Sequence, residues 1–249
     1  MQSRGGTPVR RTGARMGFLQ EHNIKALCLD IDGTLYPKHM LTLRMVRSVF
    51  PSLMLGLRFN GVRQEYRLVQ ELESTEPENR DGLLDRQANL MLKRYGRPVT
   101  EENTERMRKR IDDQFYHAWK QSFLSIKAYA HMREALLLAK EEGVQIVVFS
   151  DFPVERKLET LGIADLVDVA LSSEDSGYLK PSAKAFSYLL AHVEASPSEV
   201  LYVGDSYSKD CQGAKRSGMY SALITSSKRG YPDSDLVISS WKEFISLVF

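Results

Sequence analysis

The chain holds 249 residues, 43% hydrophobic and 27% charged, with 34 lysines and arginines against 32 aspartates and glutamates. That profile belongs to a soluble globular protein able to bury roughly 70% of its unfolded surface, and it excludes disordered and fibrous classes. A net charge of +2 gives no field for nucleic acid or anionic lipid, and no apolar run reaches the roughly 20 residues of a bilayer span, so neither partner is expected.

In chain order, residues 1–20 are read as a disordered tail, because MQSRGGTPVRRTGARMG carries four arginines, no acid and little that could pack. No apolar stretch follows those charges, which argues against a secretory signal. The two cysteines, Cys28 and Cys211, lie in core-like stretches without metal-type spacing, so a reduced, cytoplasmic setting is expected.

Strand-length apolar runs occur at 25–30 (KALCLD), 144–149 (VQIVVF), 166–171 (LVDVAL), 200–204 (VLYVG) and 221–225 (SALIT). They are apolar at both odd and even positions, as strands covered on both faces must be. KAYAHMREALLLAKEEG (127–143) and PSAKAFSYLLAHV fit helices between them, while SPSE (196–199) reads as a turn leading into a strand. The predicted fold is α/β, a doubly wound parallel sheet.

More than a hundred residues separate the first strand from the second, whereas a whole βαβ crossover takes roughly 30. The interval reads as a helical cap over 37–120, inserted into a catalytic core of 21–36 and 121–249. Its helical stretches are 40–72, a TEPE capping box at 75–78, DGLLDRQANLMLKRYG ending at Gly96, and TEENTERMRKRIDDQFYHAWKQ after Pro98.

Polar residues collect where the strands end, and ligands of an open α/β sheet bind beyond the carboxyl ends of its strands. The first run ends in DIDGTL with Asp30 and Asp32, the second in Ser150 and Asp151, and the fourth in GDSYSKD with Asp205 and Asp210. Lys180 stands before Pro181 in SGYLKP. Residues i and i+2 of a strand share a face, so Asp30 and Asp32 meet one crevice, where two carboxylates repel unless they hold a cation or split their pKa values. Oxygen ligands from several aspartates suit a hard divalent ion, which points to Mg2+. Ser150, Lys180 and nearby backbone N–H groups would then hold an anion, and phosphate fits best. In such a site one carboxylate attacks phosphorus, forming an aspartyl-phosphate, and its neighbour moves protons.

The four segments, DIDGTL, VVFSD, the lysine of GYLKP, and GDSYSKD, resemble in order the motifs of the haloacid dehalogenase (HAD) superfamily, from about residue 24 onward. The insert resembles the α-helical cap of one group within it. The resemblance implies Asp30 as nucleophile, Asp32 as acid/base, Ser150 and Lys180 as phosphate ligands, and Asp205, supported by Asp210, as metal ligand. Dehalogenases of the superfamily lack the second aspartate of the first motif, so Asp32 favours a phosphatase. Ser150-Asp151 stands where relatives often have Thr-Asn. The expected site is Asp30 and Asp32 for catalysis, Gly33, Ser150, Asp151 and Lys180 around phosphate, and Asp30, Asp32, Asp205 and Asp210 around Mg2+.

The expected substrate is a small phosphorylated metabolite, whether a sugar phosphate, phosphoglycolate or a nucleotide, and the assembly a monomer or homodimer. The alternatives are a phosphomutase of the same superfamily and a non-catalytic phosphate-ligand binding or regulatory protein. His117 and Trp119 are read as part of the insert's own core and RMRKR (106–110) as a solvated helix face. Cys28 is read as a small core hydrophobe. His22, His39, His131 and His192 show no ligand spacing.

Overall fold

The computed structural model describes residues 16–40, 53–72, 79–123, 126–154, 156–227 and 229–249. The TEPE capping box and most of the predicted tail lie outside the described residues. Among those described, the helices are α1 (Phe18–Glu21), α2 (Leu53–Val69), α3 (Arg80–Arg94), α4 (Glu101–Ile111), α5 (His117–Phe123), α6 (Met132–Glu141), α7 (Lys157–Leu161), α8 (Ala183–Leu190), α9 (Gln212–Arg216) and α10 (Trp241–Val248). The strands are β1 (Ala26–Leu29), β2 (Gln145–Ser150), β3 (Val169–Ser172), β4 (Val200–Gly204), β5 (Tyr220–Ile224) and β6 (Leu236–Ile238). None of the described helices is long and apolar enough to cross a membrane.

All strand pairs are parallel, in the order β3-β2-β1-β4-β5-β6. Strand order reverses at β1, whose Leu29 pairs with Val148 on one side and Val203 on the other, so three strand ends open level with each other. The two parities of the apolar runs feed two cores. Leu27, Leu29, Ile146, Val148, Leu201 and Val203 pack with α6 and α10. Ala26, Cys28, Val147, Phe149, Val200 and Tyr202 pack with Phe186 and Leu189 of α8 and Ala214 of α9. Burial pushes the Cys28 thiol up, so it serves as the small core hydrophobe expected.

Two elements depart from the sequence reading. Phe18, Leu19 and Gln20, assigned to the tail, fold into α1 because Leu19 finds a place in the core. β6 is three residues long at the sheet edge, with Val237 40% exposed, too short and too wet for a periodicity signal. SPSE, read as a turn, is one: a 3-10 turn, Pro197–Glu199, closed by a capping box between Ser196 and Glu199.

The helices between β1 and β2 build a core of their own around Phe59, Val62, Met91, Leu92, Met107 and Phe115. A π-helical turn, Asp112–Tyr116, joins α4 to α5 without a break. In the RMRKR run Arg106, Lys109 and Arg110 are exposed as expected, while Arg108 bonds Asp81 and Asp85 at 2.6 and 3.0 Å.

The insert docks on the sheet through one polar face of α2. Arg63, Tyr66, Arg67 and Gln70 follow the i, i+3, i+4, i+7 spacing of a single helical face. Arg63, 2% exposed, donates to the Glu174 carboxylate at 2.5 Å and the Asp151 carbonyl at 2.6 Å, and its guanidinium lies 4.0 Å from the Phe152 ring centre. Fully buried Glu174 also accepts from Tyr116 at 2.7 Å and Arg80 at 3.1 Å. Tyr66 donates to the Gly177 carbonyl at 2.8 Å, and Gln70 exchanges two hydrogen bonds with Leu179, at 3.0 and 2.9 Å. A buried charge stripped of its partner is expensive. Arg63→Ala is therefore expected to lower the unfolding free energy by about 3–5 kcal/mol, read from the shift of the urea midpoint. Arg63→Lys, which has no fork to reach both acceptors, should recover only part of it.

Candidate active site

Where β1 ends, the backbone N–H of Asp30 still bonds the Val203 carbonyl at 2.9 Å, which carries its side chain past the sheet edge between β2 and β4. The carboxylate accepts from Thr34 Oγ1 at 3.0 Å and from Lys180 Nζ at 2.7 Å. The turn is pinned from outside: Trp241 of α10 donates its indole N–H to the Thr34 carbonyl at 3.0 Å.

Lys180 is fully buried, and its ammonium also donates to Asp210 at 2.7 Å and Tyr202 at 3.0 Å. Burial pulls its pKa down, but Asp210 and Asp30 outweigh that and hold the group well above its ordinary value, so it is a fixed positive charge. Asp210 in turn accepts the Ser206 N–H at 3.0 Å. Gly204 makes this approach possible: a Cβ there would fall 2.3 Å from that of Asp210.

Asp205 sits across from this group, 3.2 Å from Lys38 Nζ. Burial, then the neighbouring Asp30 charge, push its carboxyl up to about 6. Gly33, at φ +107°, lies against it, and a Cβ there would fall 2.2 Å from Asp205 Oδ2. The observed part of Gly33 is thus to let the turn pass close to Asp205. Asp30, Asp205 and Asp210 each present an oxygen within 4.8 Å of the others. Three crowded carboxylates, one of them raised by burial and by its charged neighbours, form a donor set that fits a hard divalent cation.

Asp32 shares the crevice, but its carboxylate stands outside that trio. It accepts from Tyr36 at 2.6 Å, from Lys157 at 3.2 and 3.4 Å, and from Ser150 at 3.4 Å. Burial and the Asp32 charge keep the Tyr36 phenol far above its usual pKa, hence a permanent donor. Ser150, at the end of β2, also accepts the Phe152 N–H at 3.2 Å, which fixes its hydroxyl toward Asp32.

Asp151 departs from its expected place beside phosphate. One oxygen accepts from Arg67 at 2.8 Å, the other from Ser173 Oγ at 3.1 Å and the Lys180 N–H at 3.2 Å. Burial alone would raise its pKa, but Arg67, Lys209, Lys180 and Arg63 hold it well below the carboxylate range. A permanent anion without a proton to give would repel phosphate. Its side chain instead braces the backbone of Lys180, whose carbonyl Arg67 grips at 2.9 Å.

Lys157 is a site residue that sequence reasoning missed. It is 4% exposed at the start of α7, its ammonium 5.0 and 5.4 Å from the ring centres of Trp119 and Phe123. The sequence shows only a lysine among charged neighbours, and no periodicity marks it as buried. Trp119 belongs to the buried aromatic group as expected, 4.4 Å from Phe152. It also lines, with His117, Lys120, Phe123, Arg156 and Lys157, a cavity of about 280 Å³ between the insert and α7. His22, His131 and His192 bond Tyr220, Glu134 and the Tyr188 carbonyl, away from the crevice.

The chain matches the sequence model of the haloacid dehalogenase-like hydrolases over residues 24–218. It is 30% identical over 210 residues to a glyceraldehyde 3-phosphate phosphatase of Methanopyrus kandleri, covering 82% of this chain and 85% of that one. It is 29% identical over 189 residues to a phosphoglycolate phosphatase of Mannheimia succiniciproducens, with 73% and 77% covered. Among solved structures, a HAD phosphatase from Thermococcus onnurineus aligns with a TM-score of 0.59 at 23% identity, over 90% of this chain and 97% of that one, which is a likeness of fold. Motifs, fold and relatives agree, and the chain belongs to the haloacid dehalogenase-like hydrolases as a phosphatase-type member.

Proposed function

We propose that the protein hydrolyses small phosphate monoesters through an aspartyl-phosphate on Asp30, with Mg2+ held by Asp30, Asp205 and Asp210. The observation that carries the reading is the pairing of a carboxylate oriented by Thr34 and Lys180 with a second carboxylate, Asp32, that is hydrogen-bonded by a separate set of donors, Tyr36 and Lys157. A divalent ion held by these three carboxylates would supply positive charge against the phosphoryl oxygens and the acidic trio.

Asp30 is the nucleophile. Thr34 and Lys180 bond its two oxygens separately, which holds the carboxylate in one orientation for attack on phosphorus and limits the entropy lost on reaching it. The bond from Asp30 oxygen to phosphorus forms as the ester oxygen leaves with its electron pair. Asp32 gives that oxygen a proton, then takes one from the water that attacks the aspartyl-phosphate and frees phosphate. Ser150 and Lys180 supply a hydroxyl and a positive charge for the transferring phosphoryl group. The helical insert acts as the cap, its α5 closing against the start of α7 in the core to wall off the leaving-group side from bulk water.

Two measurements test this. Phosphate release from a panel of small monoesters should fall at least about a thousandfold in Asp30→Asn, which keeps the shape and loses the nucleophile. An equal rate in the variant would remove Asp30 from the chemistry. Chelation of divalent ions should abolish release and added Mg2+ restore it, while full activity in the chelated protein would rule out the metal.

A further inference from the structure

The backbone of residues 177–180, which brings Lys180 to Asp30, is held as much by the insert as by the core. Tyr66 donates to the Gly177 carbonyl, Gln70 bonds both the N–H and the carbonyl of Leu179, and Arg67 Nε donates to the Lys180 carbonyl, so α2 serves four backbone groups of this loop. The Lys180 N–H goes to Asp151 of the core, yet that carboxylate is itself gripped by Arg67 at 2.8 Å. The side chain of Leu179 is keyed in the same direction. It is fully buried in a small cluster with Tyr66 of α2 and Leu83 of α3, both residues of the insert. Backbone groups at this depth need partners, and those of Leu179 find theirs on Gln70, itself 3% exposed.

We propose that Arg67 and Gln70 of the insert are positioning residues for the reaction, setting the place of the Lys180 ammonium and through it the orientation of the Asp30 carboxylate. The inference rests on the reading of Asp30 as nucleophile. Among the described residues, the side-chain hydrogen bonds of Gln70 end on Leu179, and those of Arg67 on the carbonyls of Lys180 and Arg63 and on Asp151, so both act on the site through the loop. Lys180 Nζ lies 2.7 Å from Asp30, and a displacement of about 1 Å would take that pair outside hydrogen-bond range. Thr34 would then hold the carboxylate alone.

The test measures kcat and KM of Gln70→Leu, Arg67→Ala and Arg67→Lys on the monoester that the native protein cleaves fastest, with Arg94→Ala as control. Arg94 ties α3 to α2 through Glu65 and the Gly61 carbonyl, and none of its hydrogen bonds reaches the loop. Gln70→Leu and Arg67→Ala are expected to lower kcat about ten- to a hundredfold with KM changed less than about threefold, because both act through Lys180 rather than on the substrate. Arg67→Lys, which keeps a charge beside Asp151 without the fork, should recover part of kcat, and Arg94→Ala should keep the native value. Rates are compared on folded protein, as circular dichroism and the urea midpoint define it. Gln70→Leu keeps the size of the side chain and removes no charge, so it carries the test if Arg67→Ala fails to fold. Native kcat in Gln70→Leu, a loss confined to KM, or an equal fall of kcat in Arg94→Ala overturns the proposal and leaves the phosphatase reading standing. A native protein that releases no phosphate from any ester overturns both.

Discussion

An ammonium sealed between two carboxylates is the interaction on which the rest of this structure depends. Lys180, Asp30 and Asp210 come from three distant parts of the chain, and all three are at most 5% exposed. Removing a charge of either sign from such a group would leave the others uncompensated at low dielectric. The ends of β1 and β4 and the loop after β3 are therefore fixed relative to one another before any ligand arrives. The sheet contributes the level strand ends, Gly204 the close approach of Asp210, and Trp241 the clamp on the turn that holds Thr34.

That arrangement leaves a graded set of acids in one crevice. Asp30 and Asp210 share a fixed cation, Asp205 faces the exposed Lys38 while burial pushes its carboxyl up to about 6, and Asp151 lies so deep among cations that its carboxyl is held well below the usual range. Four carboxylates from one short list of motifs thus take different jobs because each faces a different local charge. Asp32 completes the set with a neutral and a cationic donor of its own, Tyr36 and Lys157.

Much of this was legible in the sequence. Apolar runs covered on both faces announce a parallel sheet, and DIDGTL, GYLKP and GDSYSKD announce its working end because their residues are fixed by neighbours in the chain. What stayed hidden depends on contacts between distant segments. The face of α2 bearing Arg63, Arg67 and Gln70 reads as a solvated helix surface, since nothing local says that Glu174 and Asp151 will be buried against it. Lys157 was missed for the same reason. Asp151 was misread because its neighbour Ser150 suggested phosphate, while its own oxygens are filled by groups from three other segments.

The docking face of α2 has an evolutionary consequence. Members of a family built from a shared core and an insert could in principle diversify by exchanging inserts as modules. Here the insert supplies the counter-ions of two buried core acids, Glu174 and Asp151, and the latter braces the loop of Lys180. A foreign insert lacking arginines at those two turns would strand both acids and loosen Lys180, the partner of Asp30. Insert and core in this lineage are thus bound to change together, and new specificity is more readily reached by substitutions around α5 and the start of α7 than by wholesale replacement.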